Sequence, residues 1–314
     1  EGDSGNVDGF GGHANKETST GNIFRGCRAW NNGDDGFDLI NCYASYIIEY
    51  CWSFRNGYKP HSIESSGGNG AGFKSGGYGM GDIKKVPNPI PQHTVRYCLA
   101  YYNRQQGFYS NHHLGGLIFE NNTAYKNPSN YNMLNRKSSN EAVDVPGYGH
   151  IIKNNLSLSP RNSGGFPQHL INVDNTLSEI KNNSFAPNDL NLSESDFESL
   201  NEQELMGSRK SDGSLPDINF LRLTNHANFR FSGMGCFINE EAVDYSWIQE
   251  PAIVLENGVA RIVGENSRSF NKFYVNGEEV SIENGIVDLT SMSGELNLKA
   301  ISENGAVTTL IINK

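Results

Sequence analysis

The chain has 314 residues, a mass of 34.6 kDa, a formal net charge of −10 and a pI of about 5.3. That balance argues against a basic nucleic-acid-binding surface, and no uninterrupted apolar run reaches the ~20 residues of a membrane span. Forty Asn and 35 Gly, residues of turns rather than of helix interiors, argue against a helical bundle.

Taken in chain order, the first 190 residues carry a repeat. The segments 21–32, 45–56, 93–103, 117–127, 150–159 and 178–185 each begin with a short apolar stretch. Each then has Cys or Asn at one phase: Cys27, Cys51, Cys98, Asn122, Asn155 and Asn183. The steps are 24, 47, 24, 33 and 28 residues, and the 47-residue step reads as one turn with a long inserted loop. A period in the twenties with Asn at the turns points to a solenoid. The apolar alternation and the lack of a leucine-rich pattern favour a parallel β-helix. Five Cys, odd in number and without a CxxC pair, give neither a disulfide framework nor a zinc site, and those in the repeat read as buried small hydrophobes.

A second strand per turn is marked by Gly-Phe at 9–10, 36–37, 72–73 and 107–108, continued by Tyr131 and then by Phe166. Successive turns stack at the ~4.8 Å interstrand spacing and side chains alternate in and out. If the Phe points inward, the next residue points outward, which gives the column Gly11, Asp38, Lys74, Tyr109. The column before the Gly reads Asp8, Asp35, Ala71, Gln106.

Stacking therefore gathers Asp8, Asp34, Asp35 and Asp38. Like charges on one face repel, and a hard divalent cation relieves them, so the cluster is a candidate Ca²⁺ site. The bland reading of Asp-Asp-Gly alone is a turn. Lys74, one turn on from Asp38 and flanked by glycines, lies beside that cation. A neighbouring cation and enclosure both favour its neutral amine, a candidate general base. Residues 51–150 hold ten Lys/Arg against five Asp/Glu, a basic strip suited to an anionic polymer. Arg104, Tyr109, His112, His113 and Arg136 are the candidate substrate contacts. Water, Arg104 or a histidine remain open as the proton donor to a leaving group.

The segments DGF (8–10), GNIFRGCRAWNNGDDGFDLI (21–40) and GNGAGFKSGG (68–77) resemble polysaccharide lyase family 9, and the likeness runs to about residue 220. It implies an all-β, right-handed parallel β-helix that cleaves pectic polymers by Ca²⁺-dependent β-elimination, with Asp8, Asp34, Asp35 and Asp38 on Ca²⁺ and Lys74 as base. GFYSNHHLGG (107–116) looks more like relatives acting on rhamnogalacturonan I than like pectate-cleaving members. A homogalacturonan lyase and a non-catalytic Ca²⁺-dependent carbohydrate-binding β-helix are the alternatives.

Three parts are expected: a catalytic β-helix over 1–190, a helix and linker tail over 191–236 packed on it, and a small antiparallel β module over 237–314. In the tail, 196–206 reads as a short helix capped by Ser195, and 211–217 as a turn-rich linker. Asn-Gly turns at 257–258, 276–277, 284–285 and 304–305 mark the module, which ends in a strand over 307–314. The repeat is already running at Asp8, so an N-terminal part with any export signal is expected to precede Glu1. The expected setting is secreted, periplasmic or cell-surface, as a monomer acting on pectin, with no nucleic-acid partner.

Overall fold

The computed structural model describes residues 5–78, 86–161, 168–185, 190–211, 213–238, 252–263, 270–283, 286–302 and 307–314. It divides into two units, 1–238 and 239–314.

Three parallel sheets run the length of the first unit. The first stacks Phe10–Gly11, Phe37–Asp38, Phe73–Lys74, Phe108–Tyr109, Tyr131–Asn132 and Leu170–Ile171. The second stacks Asn22–Arg25, Tyr46–Glu49, Thr94–Arg96, Ile118–Glu120, Ile151–Lys153 and Glu179–Lys181. The third stacks Arg28–Trp30, Trp52–Phe54, Leu99–Tyr101, Thr123–Tyr125 and Leu156–Leu158. Ile47 pairs directly with Thr94, so the 47-residue step is one turn. This is a parallel β-helix.

Side-chain alternation explains the pattern of each strand. In the second sheet Phe24, Ile48, Val95, Phe119 and Ile152 belong to the core inside the coil, while Arg25, Glu49, Arg96, Glu120 and Lys153 alternate with them. In the third sheet the small central residues Ala29, Ala100 and Ala124 face that core. In the first sheet Phe10, Phe37, Phe73, Phe108 and Tyr131 form a continuous ring stack, with successive centroids 4.9, 4.9, 4.9 and 5.0 Å apart. Each such pair adds about 0.5–1.5 kcal/mol beyond the area it buries. Leu170, not Phe166, continues the column opposite Tyr131; Phe166 lies outside the described residues.

The Asn excess has a double explanation. Between the second and third sheets, Gly26, Tyr50, Tyr97, Asn121, Asn154 and Asn182 all take φ near +55°. The residue after each points inward. There Asn155 Nδ2 donates to Asn183 Oδ1 and to Phe119 O, while its Oδ1 accepts from the backbone and side chain of Asn122. An amide is donor and acceptor at once, so it bridges one turn to the next and pairs backbone groups that the bend takes out of the ladder. Cys27, Cys51 and Cys98 hold the same place in earlier turns, where Cys51 Sγ accepts from Cys27 N and Asn122 Oδ1 from Cys98 N. A second ladder, Asn32–Asn56–Asn103–Asn127–Asn130, follows the third sheet. The sequence reading missed it.

The third sheet's other face is apolar: Trp52, Phe54, Leu99, Tyr101, Tyr125, Leu156 and Leu158. The segment 190–238 covers it with Phe197, Leu205, Phe220, Leu223 and Phe231. The single helix expected over 196–206 is instead two 3₁₀ turns, Glu194–Asp196 and Glu202–Met206. Between them Phe197 and Ser199 bridge to Leu223 and Phe220 in extended conformation, because pairing there buries Phe197 on the sheet. Ser193 and not Ser195 meets the Asp196 carboxylate at the first turn, and Arg230 pairs with the same carboxylate at 2.7 Å. One unanticipated α-helix, Asn225–Arg230, is capped by Thr224. Among the described residues no helix is long and apolar enough to cross a membrane.

The second unit holds two antiparallel sheets around Ala260, Phe273, Val275, Val287, Leu289, Leu296, Leu298 and Ala300. Turns at 257–258 and 276–277 join its strands, and Val307–Asn313 is its last strand. The turns expected at 284–285 and 304–305 lie outside the described residues.

Candidate active site

The first sheet's two-residue strands set the site. Phe enters the core and the next residue leaves it, in register: Gly11 opposite Asp38, Asp38 opposite Lys74, Lys74 opposite Tyr109, Tyr109 opposite Asn132. The glycine before each Phe is required by the second Asn ladder. A Cβ on Gly36 would lie 2.0 Å from Ser53 Oγ and 2.7 Å from Asn56 Nδ2, and one on Gly72 would lie 2.7 Å from Asn103 Nδ2. The glycines after Lys74 serve the chain's own next turn: Gly76 lies against the His113 ring and Gly77, at φ +93°, against Asn111.

Carboxylate oxygens of Asp8, Asp35 and Asp38 all lie within 4.8 Å of one another. Asp35 is fully buried and Asp38 nearly so. Asp8 Oδ1 accepts from Asp35 N at 3.0 Å, Asp35 Oδ1 from Ala71 N at 2.6 Å, and Asp38 Oδ1 from Ile40 N at 2.7 Å. Asp34 stands outside this group of three; its Oδ1 accepts from the backbone N–H groups of Asn69 and Gly70.

The Lys74 amine lies between two of the carboxylates, 2.9 Å from Asp38 Oδ2 and 3.1 Å from Asp35 Oδ2. The first is a hydrogen bond; the second is an ion pair, and among the described residues it is all that meets the buried Asp35 Oδ2. Burial alone would lower the lysine's pKa, but Asp35 and Asp38 outweigh it and hold the amine as an ammonium. The neutral amine expected from the sequence is therefore not its state while both carboxylates are free to pair with it. Burial, then Asp34 and Asp38, push Asp35 up to about 7 against the pull of Lys74. Burial and Asp38 likewise raise Asp8. One ammonium under-compensates this many carboxylates, and Asp35 Oδ2 has only the Lys74 charge beside it. Hard oxygen donors with a charge deficit fit a Ca²⁺ ion.

The other expected contacts separate. Tyr109 Oη lies 2.9 Å from His112 Nε2, and His112 Nδ1 lies 2.6 Å from Asp144 Oδ1. Arg136 Nη2 is 3.8 Å from the same carboxylate. Arg104 Nη1 donates to Gly68 O at 2.6 Å and Asn69 O at 3.2 Å, so it braces the loop that serves Asp34. His113 is a correction. It is fully buried, its Nδ1 accepts from Gly77 N, and its Nε2 faces Pro91 O, so it has no surface to offer a substrate. The basic strip is also corrected. Arg55 pairs with Glu202, Arg96 with Glu49 on the second sheet, and Lys126 with Glu194, which scatters the charge around the coil; Lys84 and Lys85 lie outside the described residues.

Sequence reading missed Asp144. It sits on a hairpin, Asn135–Ser138 paired with Glu141–Val145, that is inserted into one turn of the coil. The turn residues Ser138-Ser139-Asn140 were the available signal, with no apolar alternation in 135–138 to support them.

Residues 1–184 match the family model described as Pel9A-like, right handed beta helix region. The chain belongs to the Pel9A-like β-helix family, polysaccharide lyase family 9. Residues 174–309 match a second model, rhamnogalacturonan lyase-like, C-terminal. Among Pel9A-like relatives, pectate lyase L of Dickeya chrysanthemi is 35% identical over 240 residues, covering 76% of this chain and 48% of that protein. Pectate lyase PEL9 of Emericella nidulans is 28% identical over 232 residues, covering 68% and 50%. A solved rhamnogalacturonan lyase superposes with a TM-score of 0.67 at 54% identity, covering 74% of this chain and 56% of that one. The crystal structure of pectate lyase Pel9A gives 0.53 at 35% identity, covering 69% and 47%. The chain spans about half the length of the curated relatives it matches.

Proposed function

We propose that this chain is a calcium-dependent polysaccharide lyase that cleaves the galacturonate-containing backbone of pectin by β-elimination, with rhamnogalacturonan I as its substrate. The observation that carries the chemistry is the convergence of Asp8, Asp35 and Asp38 within 4.8 Å beside the Lys74 amine. The substrate reading is supported by the 54% identity to a rhamnogalacturonan lyase, against 35% to pectate lyases. Homogalacturonan is the second reading, favoured by the pectate lyase relatives.

Asp8, Asp35 and Asp38 would hold the ion, with Asp34 adding charge beside them. Calcium, when bound, draws electron density from the substrate carboxylate and acidifies the C5–H next to it. Lys74 as the free amine takes the C5 proton, and the bond from C4 to the glycosidic oxygen breaks. The product is an unsaturated uronate at the new non-reducing end. Hydrolysis by two carboxyl groups needs a protonated acid at the glycosidic oxygen. Asp35, raised to about 7, has no exposed surface with which to reach it.

Pectin lies outside cells, and we place the chain's action there. Incubation with purified rhamnogalacturonan I and homogalacturonan in Ca²⁺, followed by mass analysis, tests the reading. The expected result is unsaturated oligosaccharides from rhamnogalacturonan I, lost on chelation and restored by added Ca²⁺. Binding without new unsaturated ends would leave a passive carbohydrate-binding β-helix instead.

A further inference from the structure

Elimination needs a proton for the departing sugar oxygen as well as a base for C5. A protonated donor is therefore to be sought on the far side of Lys74 from the carboxylates. The outward column supplies one candidate at that place. Tyr109 is the register partner of Lys74 on the next turn, half-buried, and its neighbour on the following turn is Asn132.

The phenol is built into a chain of groups. Asn111 and His112 both take φ near +55°, a conformation that is strained for a residue with a side chain. That bend carries the His112 ring back over the residue three positions earlier. The two rings meet edge to face, with centroids 5.9 Å apart. Asn111 Nδ2 donates to Gly76 O at 2.7 Å, and His112 N donates to Leu134 O at 2.9 Å, so neighbouring turns hold the bend on both sides. Asp144 comes from the inserted hairpin and meets the other ring nitrogen at 2.6 Å. A carboxylate only accepts, so His112 Nδ1 carries the proton and Nε2 faces Tyr109 Oη. Burial, followed by Asp144, pushes the phenol up to about 12, which keeps it protonated at working pH. An acid that weak suits an alkoxide leaving group, which needs its proton only as the bond breaks.

We propose that Tyr109 is the proton-donating catalytic residue, and that His112 and Asp144 are positioning residues that hold its hydroxyl toward the departing oxygen. The proposal rests on the lyase reading above. In the step, Lys74 takes the C5 proton, the C5–H pair forms the C4–C5 double bond, and the C4–O pair leaves with the oxygen. The Tyr109 hydroxyl proton turns from His112 Nε2 to that oxygen. The enzyme is left with a protonated Lys74 and a phenolate at Tyr109. Passage of the proton from Lys74 to Tyr109 through water restores both, with no other reactant consumed.

Tyr109→Phe keeps the ring and removes only the hydroxyl. Turnover on rhamnogalacturonan I oligosaccharides is expected to fall by roughly 10²–10⁴-fold, the usual contribution of a general acid, with KM little changed. On a synthetic uronide bearing 2,4-dinitrophenolate at C4, which departs without protonation, the variant is expected to match the unmodified chain. Asp144→Asn is expected to lower kcat about tenfold on the oligosaccharide. The double variant is expected to be no slower than Tyr109→Phe alone, because Asp144 acts through the phenol. Equal losses on both substrates, or near-full turnover by Tyr109→Phe, would overturn the donor role. An additive double variant would overturn the relay. If the unmodified chain itself makes no unsaturated product, the lyase reading fails and the donor role falls with it; the variant comparisons overturn the donor role alone.

Discussion

Lys74→Ala is expected to lose turnover by roughly 10²–10⁴-fold while binding Ca²⁺ at least as tightly as the unmodified chain. The second half follows from geometry. The Lys74 ammonium sits on Asp38 and Asp35, the carboxylates a cation would need, and so competes with it. Alanine removes the competitor. The same competition gives a pH dependence. Burial already disfavours the ammonium, and only Asp35 and Asp38 hold it above its ordinary value. Once those carboxylates are engaged on an ion, the attraction is gone and a like charge is close by, so the amine gives up its proton. Calcium titration is therefore expected to release protons, seen as a heat that varies with the buffer's ionisation enthalpy. Activity is expected to rise with pH as the amine is freed. Calorimetric titration of both proteins and a pH–rate profile check these points. An activity optimum near pH 5, or a variant that keeps most of its turnover, would remove Lys74 from the role of base.

The second large effect is on stability in acid. His93, His113 and His150 are buried inside the coil, and each Nδ1 accepts a backbone N–H, from Tyr46, Gly77 and Leu117 respectively. Protonation would destroy that acceptor. Burial is the largest cause in all three and lowers His93 to about 3 and His113 and His150 to about 4, with neighbouring histidines adding to it for His93 and His113. A histidine in the unfolded chain titrates near ~6.5. The folded values are depressed, so this stability is present in full above ~6.5 and is lost as pH falls towards 4. Each histidine costs about 1.4 kcal/mol per pH unit in that window, roughly 10 kcal/mol for the three by pH 4. Asp35 opposes the trend in metal-free protein. Its raised folded value means that protonation below about 7 relieves the native state, by an order of 4 kcal/mol. The histidines win. The urea midpoint of the metal-free chain is expected to fall steeply between pH 6.5 and 4, and His93→Asn, which can still accept through its side-chain oxygen, is expected to soften the fall. A flat midpoint over that range would contradict the assignment.

The coil itself was readable because its order is written residue by residue. Gly-Phe recurs where a ring must stack inward and a Cβ would strike Asn56 or Asn103. Asn or Cys recurs where one turn hands a hydrogen bond to the next. The column Asp38, Lys74, Tyr109 follows from those marks alone. The second Asn ladder was hidden because Asn56, Asn103 and Asn127 look like ordinary turn residues until their partners are known. His112 and His113 are adjacent in sequence, yet the left-handed bend sends one ring to Tyr109 and the other inside. Composition cannot separate them. The 196–206 helix failed for a different reason: its helical spacing was outweighed by pairing with 220–223, a contact some 20 residues away. Asp144 was missed because the hairpin interrupts the period that located everything else.

The bends at 57–70 and 135–145 are lengthened at the rim of otherwise uniform turns, and both end near the column of acidic, basic and phenolic groups. Turns of this kind touch only their neighbours. Extra residues at a rim therefore leave the stacked rings and amide ladders undisturbed. Insertions and deletions there are expected to leave foldability intact while the column Asp38, Lys74, Tyr109 stays fixed.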